Sequence, residues 1–278
     1  MNYLNLKYKS GLVNNILLFI IHCSLFIVLV SCQKVINIDL NNAAPNIVIE
    51  GNVTDLHGPY TVKISESVNF DLLNEFPPVK GAFVKISDNT GHSDTLLETS
   101  PGIYTSKTLQ GVQGGTYTLV VKVNGQTYSA TSAMPNAVNI DTLKSVKSID
   151  FRGGTSYDVD VYFHDPATVS NNYYRFIEII NGKPSNNIIL FNDKLYKGEV
   201  INRTIRNEAD SIYAGDSVRI LLETIDPNVY EYFRELNQIV NGSGQQVSPA
   251  NPLTNLSNGA LGYFGAEAIT SKSIIIPQ

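Results

Sequence analysis

The sequence predicts a mainly β chain, an antiparallel sandwich followed by a second β-rich half that carries one packed helix. Three observations lead there. Short runs alternate apolar and polar residues, turn-forming residues interrupt them at close intervals, and a single stretch has helical periodicity.

The first block spans 46–135. Ile47 to Val53 reads as a strand, and Tyr60, Val62 and Ile64 then alternate with polar residues in PYTVKIS. Alternation sends successive side chains to opposite faces, so one face is dry and the other wet. Ala82, Val84 and Ile86 repeat the pattern, and short runs follow at DTLLET and GIYTSK. Tyr117, Leu119, Val121 and Val123 alternate in TYTLVVKV, and QTYSATSAM reads as the returning strand. Between them Asn124-Gly125 predicts a type I′ hairpin turn, whose two central positions both need positive φ. About seven short strands separated by DNTG, SPG and GGT fit an immunoglobulin- or fibronectin-like sandwich.

Met134-Pro135 closes this block, and PNAVNID reads as a linker or crossing strand. The second block spans 142–278. In its clearest strand Tyr157, Val159, Val161 and Phe163 share one face, while Asp158, Asp160, Tyr162 and His164 share the other. NYYRFIEIING, NIILFND, NRTIR and SVRILLETI are strand-like by composition. A helix is expected near 227–241: Asp226 can cap it, Pro227 suits its first position and Gly242 its stop. Val229, Tyr232, Phe233, Leu236, Ile239 and Val240 form one stripe, which predicts packing on the second sheet. Two terminal strands are expected, at LGYFGAEA and TSKSIIIP.

Ahead of these blocks lies a leader. Lys7 and Lys9 make its start positive, and no acid precedes Asp39. Ile16 to Val30 is an apolar run of about 15 residues with a polar notch at His22, Cys23 and Ser24. A spanning helix needs roughly 20 apolar residues, so residues 1–31 read as a secretory signal peptide. Leu29-Val30-Ser31-Cys32 resembles the bacterial lipobox, in which a cysteine thiol is alkylated with diacylglycerol before the leader is cut. The resemblance implies that Cys32 is the lipidation site, with its new amine also acylated, as by palmitate. One acyl chain holds a protein only marginally, whereas two or more anchor it stably. The Asn-rich stretch 32–45 then reads as a lipidated tether.

Charge and cysteines exclude several classes. The full chain has 20 Lys+Arg against 25 Asp+Glu. Removing the leader takes two lysines and no acid, leaving 18 against 25 and a net charge of −7. An acidic body with scattered Lys and Arg has no electrostatic footprint for nucleic acid and no polybasic membrane patch. Cys23 leaves with the leader and Cys32 is modified, so no thiol remains for a disulfide, a Cys-ligated zinc or a nucleophile.

Candidate chemistry is sparse. His57 and His92 fall in turn-like segments, LHGP and TGHS. His164-Asp165 lies at a strand end, where neighbours point to opposite faces and make a poor base–orienter pair. Asp158, Asp160 and His164 share a face that could hold a hard cation, but a solvated sheet face gives the same pattern. Asp88 to Asp94, DNTGHSD, lacks the spacing and closing Glu of a calcium loop and reads as a turn. Tyr173-Tyr174 and Tyr263-Phe264 could line a sugar or peptide platform, but Tyr is also an ordinary strand former and core or edge packing is the majority expectation. The sequons at Asn52, Asn202, Asn241 and Asn255 carry no weight beside a lipobox. The expectation is therefore no catalytic residue, no metal and no cofactor.

Several short motifs occur in order along the chain: Ile38-Asp39-Leu40, Pro45 to Gly51, Gly58-Pro59-Tyr60, Pro77-Pro78-Val79, Gly102-Ile103-Tyr104 and Tyr117 to Pro135. Asn172 to Phe176, the helix after Asp226-Pro227, and Asn258-Gly259 with Leu261 to Gly265 complete the series. In these the chain resembles envelope lipoproteins of Bacteroidota-type bacteria that share domain of unknown function 4249. The resemblance implies a non-enzymatic binding or accessory module, lipid-anchored at the outer membrane beside a TonB-dependent type nutrient receptor. A surface glycan- or matrix-binding adhesin is the alternative, and a hydrolase the third. Gln33-Lys34-Val35 departs from the acidic start of many surface-exported relatives, which leaves both faces of the outer membrane open.

Overall fold

Alternating strands need a second sheet to cover their dry faces, and the computed structural model shows how the chain provides it. Residue 19 and residues 44–68, 75–150, 152–167, 171–206, 211–242 and 251–278 are described. The chain separates into two units, Met1–Ala43 and Ala44–Gln278, and the fold belongs to the second. The expected lipidation site Cys32, and the signal peptide apart from residue 19, lie outside the described residues.

The first half contributes β1 (Ile47–Thr54), β2 (Thr61–Glu66), β3 (Phe83–Asp88), β4 (Ser93–Thr95), β5 (Leu97–Ser100), β6 (Ile103–Thr105), β7 (Thr116–Val123) and β8 (Gln126–Ala133). The second adds β9 (Ile140–Ile149), β10 (Thr155–His164), β11 (Tyr173–Ile180), β12 (Lys183–Pro184), β13 (Ile189–Asn192), β14 (Val200–Ile205) and β15 (Ser217–Ile225). Helix α1 (Pro227–Asn241) and β16 (Leu261–Ile275) end the chain. The molecule is mainly β, as expected. Asn124 and Gly125 have φ of 51° and 73°, and Val123 faces Gln126 across the β7–β8 turn. That hairpin is the one the dipeptide predicts.

A nine-stranded sheet runs β12-β11-β15-β16-β1-β2-β6-β5, with β13 also on β11. Two smaller sheets, β4-β3-β7-β8 and β14-β10-β9, cover one of its faces. The first closes a core of Ile49, Val53, Val62 and Ile64 against Val84, Ile86, Leu119 and Val121. The second closes Val159, Val161 and Phe163 against Tyr174, Phe176, Ile220 and Leu222. Helix α1 packs on the opposite face, where Val229, Tyr232 and Phe233 meet Ile225 and Tyr263. Each fully buried large side chain of these cores contributes about 1.5–3 kcal/mol.

The end of the chain differs from the expectation. LGYFGAEA and TSKSIIIP are one strand, β16, not two. Its residues 261–267 pair in parallel with β1, and 268–275 pair antiparallel with β15. The change of partner midway accounts for the change of composition that resembled a break. Phe264 to Ala268 are buried without alternation because a small sheet covers one face and α1 the other. Phe264, Ala266 and Ala268 also enter the first core, so the block 46–135 is completed by residues from the far end. The gap between 135 and 142 separates the two small sheets, while the large sheet runs through both halves.

Helix α1 begins as its cap predicts, with the Asp226 side chain accepting from the Asn228 N–H. Gly242 after it is extended (φ −66°), so the helix ends without a left-handed cap.

Candidate functional site

The residues singled out from sequence are scattered. The His92 ring is 81% exposed, with Nδ1 3.1 Å from Asp88 Oδ2. Asp88 Oδ1 accepts from the backbone N–H groups of Thr90 and His92, each at 2.9 Å. Burial pushes this carboxyl up, but the hydrogen bonds from Thr90 and His92 prevail and hold it at about 2. Asp94 accepts from the backbone N–H groups of Lys107, Thr108 and Leu109 at 2.6, 2.7 and 3.1 Å. The DNTGHSD stretch thus uses its carboxylates to hold turns. A cleft of about 660 Å³ opens beside it, lined by Asp88, His92, Gln110, Val112 and Tyr117.

His164 and Asp165 diverge, as neighbours on a strand must. The exposed His164 ring reaches Asp141, Nδ1 to Oδ2 at 3.4 Å. Asp165 turns inward and accepts from Tyr174 Oη (2.8 Å), Asn172 Nδ2 (3.1 Å) and the Gly198 N–H (3.1 Å). Asn172 Nδ2 also donates to buried Asp193 at 3.0 Å. Burial first, and then the nearby Asp165 charge, raise the Asp193 carboxyl. This group locks the β10 and β13 ends together.

The two aromatic pairs are packed. Tyr174 and Phe264 belong to cores, the Tyr173 ring lies 4.9 Å from Tyr230 at a tilt of 50°, and Tyr263 lies 4.9 Å from both Tyr232 and Phe233. Tyr173 and Tyr263 are half-buried, and their rings are engaged by α1.

Asp158 and Asp160 do come together, on the outer face of β14-β10-β9. Thr204 Oγ1 donates to Asp160 at 2.6 Å, and Asn202 Nδ2 lies 3.4 Å from the same carboxylate. Burial raises the Asp158 carboxyl despite hydrogen bonding from Ser148 and the charge of Arg206. Lys144 lies over the Tyr162 ring at 4.8 Å. The depression here, about 710 Å³, is lined by Val146, Ile149, Asp158, Asp160, Thr204 and Arg206. Ile149 is 76% exposed and Val146 40%. An open face carrying both charges and uncovered aliphatic side chains suits contact with another polypeptide.

Sequence reading missed a polar ladder under α1. Arg175 on β11 faces Glu223 on β15, with Nη1 3.4 Å from Oε2, and its guanidinium lies 4.0 Å from the Phe233 ring centre. On the next strand Glu267 accepts from Asn52 Nδ2 of β1 at 3.1 Å. Glu223 and Glu267 are both buried, and Glu223 Oε2 and Glu267 Oε1 have no hydrogen-bond partner. Burial foremost, then the charge of Glu267, pushes Glu223 up to about 8, with Arg175 pulling the other way. Burial also raises Glu267 against the pull of Arg175 and Asn52. The signal for all three was present: each is a lone charge inside an apolar run, YYRFI, LLETI and GAEAI.

Comparison with known proteins follows from this architecture. A family model described as domain of unknown function (DUF4249) matches residues 33–273. No curated protein matches the chain. Among solved structures it is similar to the chicken interferon gamma receptor alpha chain, at 9% identity and a TM-score of 0.25. That alignment covers 84% of this chain and 99% of the other. Among the described residues no helix is long and apolar enough to cross a membrane.

Proposed function

This chain belongs to the family of domain of unknown function DUF4249, and from that premise we propose that it is a lipid-anchored, non-enzymatic binding module of the cell envelope. Its anchor is acylated Cys32, and its station is the outer membrane beside a TonB-dependent type transporter. The observation that carries the reading is the stretch Leu29-Val30-Ser31-Cys32 behind a leader too short to span. The family match opens one residue after that cysteine, which supports a mature body starting there. The 14 residues from Cys32 to Pro45 form a tether ahead of β1, and two or more acyl chains would hold the body at a bilayer without a spanning segment.

The binding face is the depression on β14-β10-β9. Its exposed Val146 and Ile149 provide apolar contact, while Asp158, Asp160 and Arg206 provide direction. Mass spectrometry of the amino-terminal peptide from native membranes tests the anchor. A diacylglycerol thioether on Cys32 is expected; an unmodified Cys32 or a retained leader overturns the reading.

A further inference from the structure

Beneath α1 the large sheet carries two buried carboxylates and one guanidinium. Arg175, Glu223 and Glu267 occupy three neighbouring strands on the face that α1 covers, and Asn52 on the fourth ends the row. With both acids ionised, this dry layer would hold a net negative charge, and isolated buried charge is strongly disfavoured. One proton on the pair removes the excess. It also turns an orphaned carboxylate oxygen into a hydroxyl that can donate.

Among the described residues no other group nearby supplies the missing positive charge. On β1, Glu50 is acidic, and Lys63 of β2 is engaged with it at 3.6 Å. Tyr263 of β16, Tyr173 of β11 and Tyr230 and Tyr232 of α1 are neutral phenols, and Asn192 of β13 donates to Tyr230 Oη. Arg234 of α1 pairs with Glu231 and Glu235 of its own helix. Among the described residues Arg175, at one end of the row, is left as the cation facing both acids.

We propose that α1 is a proton-dependent latch: it docks on the singly protonated Glu223–Glu267 pair, and release of that proton to water favours the lifted helix. Lifting returns both carboxylates to solvent, where each ionises normally. It also uncovers the aromatic strip Tyr173, Tyr263, Tyr232 and Phe233. The latch does not depend on the lipid anchor or on the β14-β10-β9 face.

Hydrogen exchange of the purified full chain tests it, with rates corrected for the base catalysis of exchange itself. The amides of α1 are expected to open more often than those of β7. Their opening should rise with pH by up to about tenfold per unit between pH 5 and 8, since one proton is released. Glu223→Gln should flatten that slope, and Glu267→Gln serves if the first variant does not fold. A flat profile in the unmodified protein overturns the latch. So does a slope that survives in the Gln variant, or equal opening of α1 and β7, which would be global unfolding.

Discussion

Asp226 and Ala133 are joined across the two halves of the chain. Asp226 Oδ1 accepts from the Asn228 N–H at 2.8 Å and caps α1, while Oδ2 accepts from the Ala133 N–H of β8 at 3.2 Å. One carboxylate thus starts the helix and ties it to the first sandwich. Asp226→Ala is expected to lower stability by about 1–2 kcal/mol, the usual loss for an N-cap. Asp226→Asn, which keeps an acceptor for the cap, should recover most of it. Urea midpoints at an unchanged slope check both.

Gly262 has φ +94°, and a Cβ there would strike the backbone carbonyl of Ile49. The parallel pairing of β16 with β1 needs that close approach. Gly262→Ala should therefore destabilise by about 2 kcal/mol or more, because both the strained φ and the backbone contact oppose it. A melt of the variant with less than half that loss would mean that β16 enters the sheet differently.

Arg175→Met removes the cation that faces the buried Glu223–Glu267 pair. Breaking a buried pair in this way costs about 3–5 kcal/mol. Adding Glu223→Gln and Glu267→Gln removes the uncompensated charge, so the triple variant should regain most of the loss. Denaturant titration of the single and triple variants measures the difference.

The same carboxylates set a slope of stability against pH. The Glu223 carboxyl rises from 4.5 to about 8 on folding, so the native state binds the extra proton between those values. Its stabilisation is complete below about 4.5 and is lost as pH rises through about 8. The melting temperature should fall across that window in the unmodified protein, and fall less in Glu223→Gln.

Asp88 behaves oppositely. Its carboxyl lies below its ordinary value, at about 2, so its contribution is present above about 3.8 and fades as pH falls toward 2. Carboxyl-carbon NMR should find a titration near 2, moving only part of the way toward the ordinary range in Thr90→Val, because the backbone N–H groups of Thr90 and His92 still donate.

Ile149→Glu places a charge on the exposed rim of the β14-β10-β9 depression. It should leave the melting temperature unchanged and reduce at least severalfold the receptor cross-linked to the protein in native membranes. Equal recovery would remove this face from the proposed function.

Much of the β architecture was legible. TYTLVVKV-NG-QTYSATSA reads directly as a hairpin because alternation and a positive-φ turn are local properties. The cap of α1 is equally local. What escaped was non-local: β16 alternates poorly because both its faces are covered, and its break in composition marks a change of partner. Arg175, Glu223 and Glu267 stand 44 or more residues apart in sequence, between the last two and 48 between the first two. Nothing local says that they share one layer.

By itself the sequence determined the alternating strands, the Asn124-Gly125 turn and the helix start, since each depends on residues a few positions apart. Tertiary structure alone decided that β16 would join both halves into one sheet, and that a lone arginine would face two buried glutamates beneath α1. Strand pairing and burial are set by what covers each face, and that covering comes from distant parts of the chain.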